Sequence, residues 1–381
     1  METIKVHTRG NMVHSLATKI NFDEGIINTL NVNTFKNILV LTGTQYSLET
    51  FEKKIKPLIK KNCHVYANIS GNLTDELIYS AVNFASDKKI DCIISVGADN
   101  VMDCGRLVSL LLSHGGQLHD YFLGGSKGPL GITPKTIHHI TVPIMPAAGY
   151  EIASYASFKS GNSKFILESP YLIPMETFID PLIMQGLPPD LWPIILFDCF
   201  ATAMSAYVSA YANPTSDAFA EQALSSYINH SKLLLKDPNN LEHIKHAATA
   251  SINAFLAANF SSRGAMHAIS DVLFAKLNLR YGSALACVCA EVSAFFYDSN
   301  KARYDKIATM IGGKGGTAAS VKSSISKMIK ESGLYVPSFT GKLSTEELEQ
   351  FALESMSSGA MRGNTKQMTA KDVYGVLRRL P

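Results

Sequence analysis

Residues 91–96, DCIISV, are almost continuously apolar and stop abruptly at GADN. A strand with no polar face is buried on both sides, and the arrangement that covers both faces is a parallel sheet with helices above and below it. The neighbouring sequence fits that demand. Residues 37–42 (NILVLT) form a second β-branched run ended by Gly43, residues 48–61 have helical spacing, and residues 64–67 read as another short strand. A helix is predicted from Thr74 to about Lys89, with Asp75 and Glu76 in its first turn, where the helix dipole favours acids. Residues 101–113 read as the next helix, and residues 137–144 as a strand ended by the small-residue turn PAAGYE. From Pro188 the texture changes: β-branched runs disappear, Ala becomes frequent and helical patterns follow one another. The expectation is an α/β domain over residues 1–183 and an all-helical domain over residues 184–381, divided in the proline-rich IDPLIMQGLPPD.

At 381 residues the chain exceeds what one hydrophobic core sustains, which agrees with two domains. Lys plus Arg at 35 against Asp plus Glu at 32 leaves +3, which sets aside nucleic acid and anionic membranes as main partners. The most apolar stretches, residues 191–212 and 284–296, are interrupted by Pro193 and Asp198 and by Glu291, and the second is too short to span a bilayer. No membrane partner is expected. Six scattered cysteines form no CxxC pair, and the N-terminus lacks secretory or transit features, so the expected location is cytoplasmic.

Two loops carry a resemblance. SVGADNVMDCGR (95–106) resembles the GGGSxxDxxK segment of iron-containing alcohol dehydrogenases, and PIMPAAGYE (143–151) resembles their PTTxGTGSE at equal length. The likeness runs on through Asp180 and Pro181, LPP at 187–189, the helix beginning at Asp198, NPTSDAFAEQAL at 213–224 and GNTKQMTAKDVYGVLRRL at 363–380. It covers essentially the whole chain in the family's order. The resemblance implies a dehydroquinate synthase-like fold: an α/β Rossmann-like nucleotide-binding domain, an all-α domain, and an active site in the cleft between them. The implied reaction is reversible hydride transfer between NAD(P) and a small aldehyde or alcohol, with a divalent metal, Fe or Zn, polarising the substrate oxygen. It further implies a homodimer.

A pyrophosphate needs backbone N–H groups at a helix N-terminus and no side chain in the way. Gly97, Ala98, Asp99 and Asn100 occupy the GGGS positions, so only the first glycine is kept. Asp99 either sets a carboxylate against the pyrophosphate or caps the helix, the commonest use of Asp at that point. Asp103 matches the family's Asp, Arg106 replaces its Lys, and Lys164 matches a lysine that faces the nicotinamide half in relatives. After the first strand, beside Thr42, Gly43 stands where NAD-preferring relatives carry an Asp, which implies NADP over NAD; the other reading is a plain tight turn. Ile144 and Met145 replace two threonines of the second loop.

The family's metal is held by an Asp, a His one turn later, and two further His. Here Asp198 and His267 keep their places, Thr202 and Tyr281 replace the other two, and Asp271 shares a helix face with His267. One carboxylate and one imidazole fall short of the three protein ligands a catalytic site normally supplies. Either Asp271 completes a site with Asp198 and His267, or His267 and Asp271 are a hydrogen-bonded pair lining an empty cleft. For metal-free catalysis, Tyr281 is the candidate proton donor, with His267 and Asp271 as relay. Against the dehydrogenase reading stands a non-catalytic family member acting as scaffold or partner subunit.

Overall fold

The computed structural model describes residues 17–43, 45–122, 125–161, 163–339 and 342–381. Its N-terminal half contains strands β1 (Lys19–Phe22), β2 (Ile38–Thr42), β3 (Cys63–Tyr66), β4 (Cys92–Gly97), β5 (His138–Pro143), β6 (Tyr155–Ser160), β7 (Ser163–Glu168) and β8 (Glu176–Ile179). Six of them form a parallel sheet in the order β1-β8-β5-β4-β2-β3, while β6 and β7 make a separate antiparallel hairpin. Every residue of β2 and β4 is buried, as their apolar runs require. At about 1.5–3 kcal/mol for each large aliphatic side chain, Ile38, Leu39, Val40, Leu41, Ile93, Ile94 and Val96 contribute a large part of the domain's stabilisation.

The helix expected at 48–61 is shorter and irregular. An α-helical turn, Gln45–Thr50, passes into a π turn, Phe51–Ile55, and then into a 3-10 turn, Lys56–Leu58. This path keeps Phe51 and Ile55 fully buried beside the sheet, and Pro57, with no N–H to continue an α-helix, tightens the end. Helix Asp75–Ala85 begins as predicted, with the Thr74 hydroxyl accepting from the Leu77 N–H. Strands β1 and β8 and the hairpin were not anticipated from the pattern.

Chain order reverses at β2. Its next strand, β3, pairs on one side, and β4 returns to pair on the other. The crevice beyond the carboxyl ends of β2 and β4 is therefore the topological switch point, where open α/β sheets receive ligands. Thr42, Gly43 and Gly97 to Asn100 lie at that edge.

In the helical half, Trp192–Tyr207 is the central element, almost wholly buried among Pro214–Lys236, Leu241–Phe260 and Tyr281–Phe296. Gly282 allows the last of these to approach closely: a Cβ there would sit 2.1 Å from the Ile194 carbonyl oxygen. Helix Ala265–Leu277 starts at Gly264, which has no side chain to cap it, so Asn364 supplies its Oδ1 to the Ala265 N–H at 2.8 Å. The two halves meet through the PAAGYE turn. Ser251 of the helical half accepts from the Gly149 N–H and donates to Glu151 Oε1, both at 3.2 Å. Burial pushes the Glu151 carboxyl up to about 7, so much of it is neutral in this seam.

Candidate active site

On the sheet side, helix Asp99–His114 starts where β4 ends. A Cβ at Gly97 would lie 2.5 Å from the Val101 side chain, so glycine is required for the helix to turn in this tightly. Ala98 is the N-cap residue, and Asp99 is the first helical residue without a side-chain capping bond. The capping role for Asp99 is thus not realised. Burial raises its carboxyl pKa, and its charge reaches Asp198 across the cleft. Asn100 is occupied in holding the loop: its Nδ2 donates to Gly71 O at 2.8 Å and its Oδ1 accepts from the Val101 N–H at 2.9 Å.

The contacts of one nucleotide-side residue differ from the expectation. Asp103, expected at the cofactor, is 1% exposed and bound to Arg106 Nη1 at 2.9 Å, to the Ser157 N–H at 2.9 Å and to the Ser157 hydroxyl at 3.0 Å. Arg106 also donates from Nε to Ala153 O at 3.1 Å and from Nη2 to Tyr150 O. This buried pair clamps the PAAGYE turn and hairpin β6–β7 to the helix; it does not face a ligand. Gly43 also has a structural cause, because a Cβ there would fall 1.7 Å from Ile69 O. The tight-turn reading accounts for that glycine. Thr42 is fully buried, and Met145 is half-buried against the cores of both halves.

Across the cleft the polar side chains form one connected group. Lys164, on the hairpin, donates to Asp271 Oδ1 at 2.7 Å, so it is paired with the helical half instead of standing free toward a nicotinamide. Tyr281 donates to the same carboxylate oxygen at 3.0 Å, and His267 Nδ1 lies 3.1 Å from the Tyr281 hydroxyl. A phenol has one proton. With that proton on Asp271, His267 must be the donor from Nδ1–H, which leaves Nε2 bare of hydrogen. Burial, then the charges of Arg263 and Lys164, hold the His267 pKa well below its usual value, so the ring is neutral. Burial, then Asp271, hold the Tyr281 phenol well above its usual range, so it is fully protonated at rest. The Lys164 ammonium also sits over the Tyr281 ring, 4.5 Å from its centroid.

These contacts bear on a metal through the donor set itself. One feature fits a metal: the buried His267 Nε2 has no hydrogen-bond partner. The rest does not. Thr202 spends its hydroxyl on Asp198 Oδ1 at 3.3 Å, Tyr281 is a protonated phenol, and Asp271 is neutralised by Lys164. Asp271 therefore does not complete a centre with Asp198 and His267. Among the described residues no group of three or more His, Cys, Asp or Glu side chains is arranged to hold an ion. Asp198 is left as a buried carboxyl pushed up to about 7, by burial first and by the Asp99 charge second.

Sequence reading missed Arg263. It precedes Gly264, and its guanidinium turns into the cleft, where Nη2 donates to the Tyr155 hydroxyl and Cζ lies 4.9 Å from that ring's centroid. A lone cation in the small-residue stretch FSSRGAM was the available signal.

Comparison with known proteins agrees with this architecture. The family model for iron-containing alcohol dehydrogenase matches residues 17–181, and the model for the C-terminal part of the Fe-containing alcohol dehydrogenase family matches residues 196–380. Long-chain-alcohol dehydrogenase 1 of Geobacillus thermodenitrificans is 24% identical over 336 residues, covering 86% of this chain and 83% of its own. NAD-dependent methanol dehydrogenase of Bacillus methanolicus is 21% identical over 312 residues, covering 80% and 81%. An archaeal halo-thermophilic alcohol dehydrogenase from a Red Sea brine pool superposes with a TM-score of 0.88 at 18% identity, covering 98% of this chain and 100% of that one. With both halves matched in order and the fold shared end to end, the chain belongs to the iron-containing alcohol dehydrogenase family.

Proposed function

We propose that this protein is an NAD(P)-dependent oxidoreductase that interconverts a small carbonyl compound and its alcohol, with Tyr281 moving the proton where other family members use a metal. The observation that carries the reading is the continuous Lys164–Asp271–Tyr281–His267 group, in which His267 and Tyr281 stand where the family resemblance sets ligands. When bound, the dinucleotide supplies or takes the hydride. Gly97, Ala98 and Asn100 at the helix N-terminus, with Thr42, Gly43 and Met145 around the switch point, are the residues that would hold it. Gly43 stands where NAD-preferring relatives carry an Asp, and a glycine there has no carboxylate to repel a 2′-phosphate, which supports NADP.

In the reductive direction Tyr281 turns its O–H from Asp271 to the substrate oxygen as negative charge grows there. The phenolate it leaves is stabilised by the ammonium of Lys164 and by the N–H of His267, both already in place. Asp271 keeps Lys164 in position. Reduction of short aldehydes by NADPH and NADH, assayed with and without a strong chelator, tests this: turnover is expected to survive chelation. Activity lost to chelator and restored by Fe or Zn would overturn the metal-free route, and failure to bind either dinucleotide would favour the scaffold reading.

Asp99 is the observation that favours a non-catalytic chain, since it puts a carboxylate in the first turn of the helix that would receive the pyrophosphate. Two unit charges ~4 Å apart cost about 1 kcal/mol in water and several times that in a drier site. Asp99→Asn is therefore expected to tighten NADPH binding about fivefold or more at pH 8, measured by fluorescence titration. Because burial raises the Asp99 pKa, the wild-type carboxyl is increasingly neutral toward acid pH and the gain shrinks there. Equal affinity of variant and wild type at pH 8 would remove Asp99 from the cofactor site.

A further inference from the structure

Arg263 is a half-buried cation whose donors are mostly unspent. Its backbone is fixed on both sides: a Cβ on Gly363 would lie 2.5 Å from Arg263 O, and Asn364 caps the helix that begins two residues after it. From that anchor the side chain reaches the Tyr155 hydroxyl and ring. A guanidinium carries five N–H donors, and the Tyr155 hydroxyl is its one hydrogen-bond acceptor among the described residues.

The other cations around the site are already paired. Lys164 is paired with Asp271 at 2.7 Å, and Arg106 with Asp103 at 2.9 Å. Among the described residues Arg263 has no carboxylate within the 4.0 Å of an ion pair. Asp198 feels its charge at longer range but gives its hydrogen bond to Thr202. The ring environment offers nothing more: Tyr150 meets Tyr155 edge-on with centroids 5.5 Å apart, and Phe255 lies 6.3 Å from Tyr155. A half-buried guanidinium with open donors and no counter-charge is matched best by a planar carboxylate bound through two parallel N–H donors. Its charge also reaches Tyr281 and His267, so an anion held there lies on the same side of the cleft as the proposed proton donor.

We propose that Arg263 binds a carboxylate on the substrate, so that the preferred substrates are short aldehydes or ketones that carry a carboxylate at the far end, and the alcohols derived from them. This rests on the carbonyl-alcohol reading above for the reaction, but not for the binding of the anion. Cation–π contact with Tyr155 holds the guanidinium in position, and its remaining donors face the bound anion. The neutral stem of the substrate lies against the rings of Tyr150 and Tyr155.

Two measurements test it independently. The first compares NADPH-dependent reduction of butanal with 4-oxobutanoate and of pentanal with 5-oxopentanoate. Wild type should favour the oxo acid by tenfold or more in kcat/KM, chiefly through KM, and Arg263→Gln should erase that ratio. Arg263→Lys should recover part of it, and Tyr155→Phe, which keeps the guanidinium, should retain most of it. The second needs no turnover: butyrate, but not 1-butanol, should raise the thermal midpoint of wild type, and the shift should be absent in Arg263→Gln. Turnover of both members of each pair with no preference, or butyrate protection that persists in Arg263→Gln, overturns the assignment while leaving the oxidoreductase reading intact. No reduction of any aldehyde overturns that reading instead, and butyrate protection lost in Arg263→Gln then still supports the anion site. If Arg263→Gln does not fold, the Lys variant decides: a preference undiminished from wild type counts against paired N–H recognition.

Discussion

Tyr281→Phe will lower kcat by roughly a hundredfold to ten-thousandfold, the range a positioned general acid contributes, while the protein stays folded. The substitution removes one oxygen and leaves the ring, which keeps its edge contact with Phe274 at 5.8 Å and its place under Lys164 at 4.5 Å. The Lys164–Asp271 pair at 2.7 Å does not depend on the phenol. His267 Nδ1 does lose its partner, so a stability loss of about 1–3 kcal/mol is expected alongside. The kinetic pattern distinguishes the roles of the phenol. A proton donor acts only as charge develops on the substrate oxygen, so kcat and kcat/KM fall together and KM moves little. A Tyr281 that merely fills space would leave kcat within a few-fold. A variant with full turnover would sink the proposed chemistry, whatever its stability.

The parts of the fold that could be read from the sequence are those where one segment states its own environment. Residues 91–96 and 37–42 are mostly apolar because both faces of β4 and β2 are covered, and the Thr74 cap with its acidic first turn marks a helix start locally. Strands β1 and β8, KINF and ETFI, are four residues each and mix polar with apolar positions, so nothing in them announces a strand; they exist because each pairs with the other. The site divides the same way. That Thr202 and Tyr281 stand where the family resemblance sets metal ligands can be read from their positions along the chain. That Lys164 neutralises Asp271 is not, because the two lie 107 residues apart on different domains and either alone reads as an ordinary charge. The same holds for Asp103, whose place in a family motif suggested the cofactor while its partners, Arg106 and Ser157, make it part of the frame.

That frame is the second place where a single change should be costly. Asp103→Ala leaves the Arg106 guanidinium, fully enclosed at 1% exposure, without its counter-charge, and removing one partner of a buried pair typically costs about 3–5 kcal/mol. In a domain of this size that corresponds to a fall in the thermal midpoint of about 5 °C or more. Burial already pushes the Asp103 carboxyl up to about 6, which says that the pair only partly offsets the cost of enclosing it. The double variant Asp103→Leu, Arg106→Met is therefore expected to recover most of the loss, since it leaves no buried charge uncompensated. The damage should also reach the active site. Asp103 accepts from Ser157 on β6, β6 pairs with β7, and β7 carries Lys164, so loosening this attachment frees the hairpin that presents the ammonium to Asp271 and Tyr281. Asp103→Ala should thus lose turnover well below its melting temperature, and the double variant should regain stability more fully than rate, because leucine cannot hold the Ser157 N–H. Equal recovery of both would mean that the hairpin is positioned by its apolar face alone, through Phe158 and Phe165 stacked at 5.7 Å.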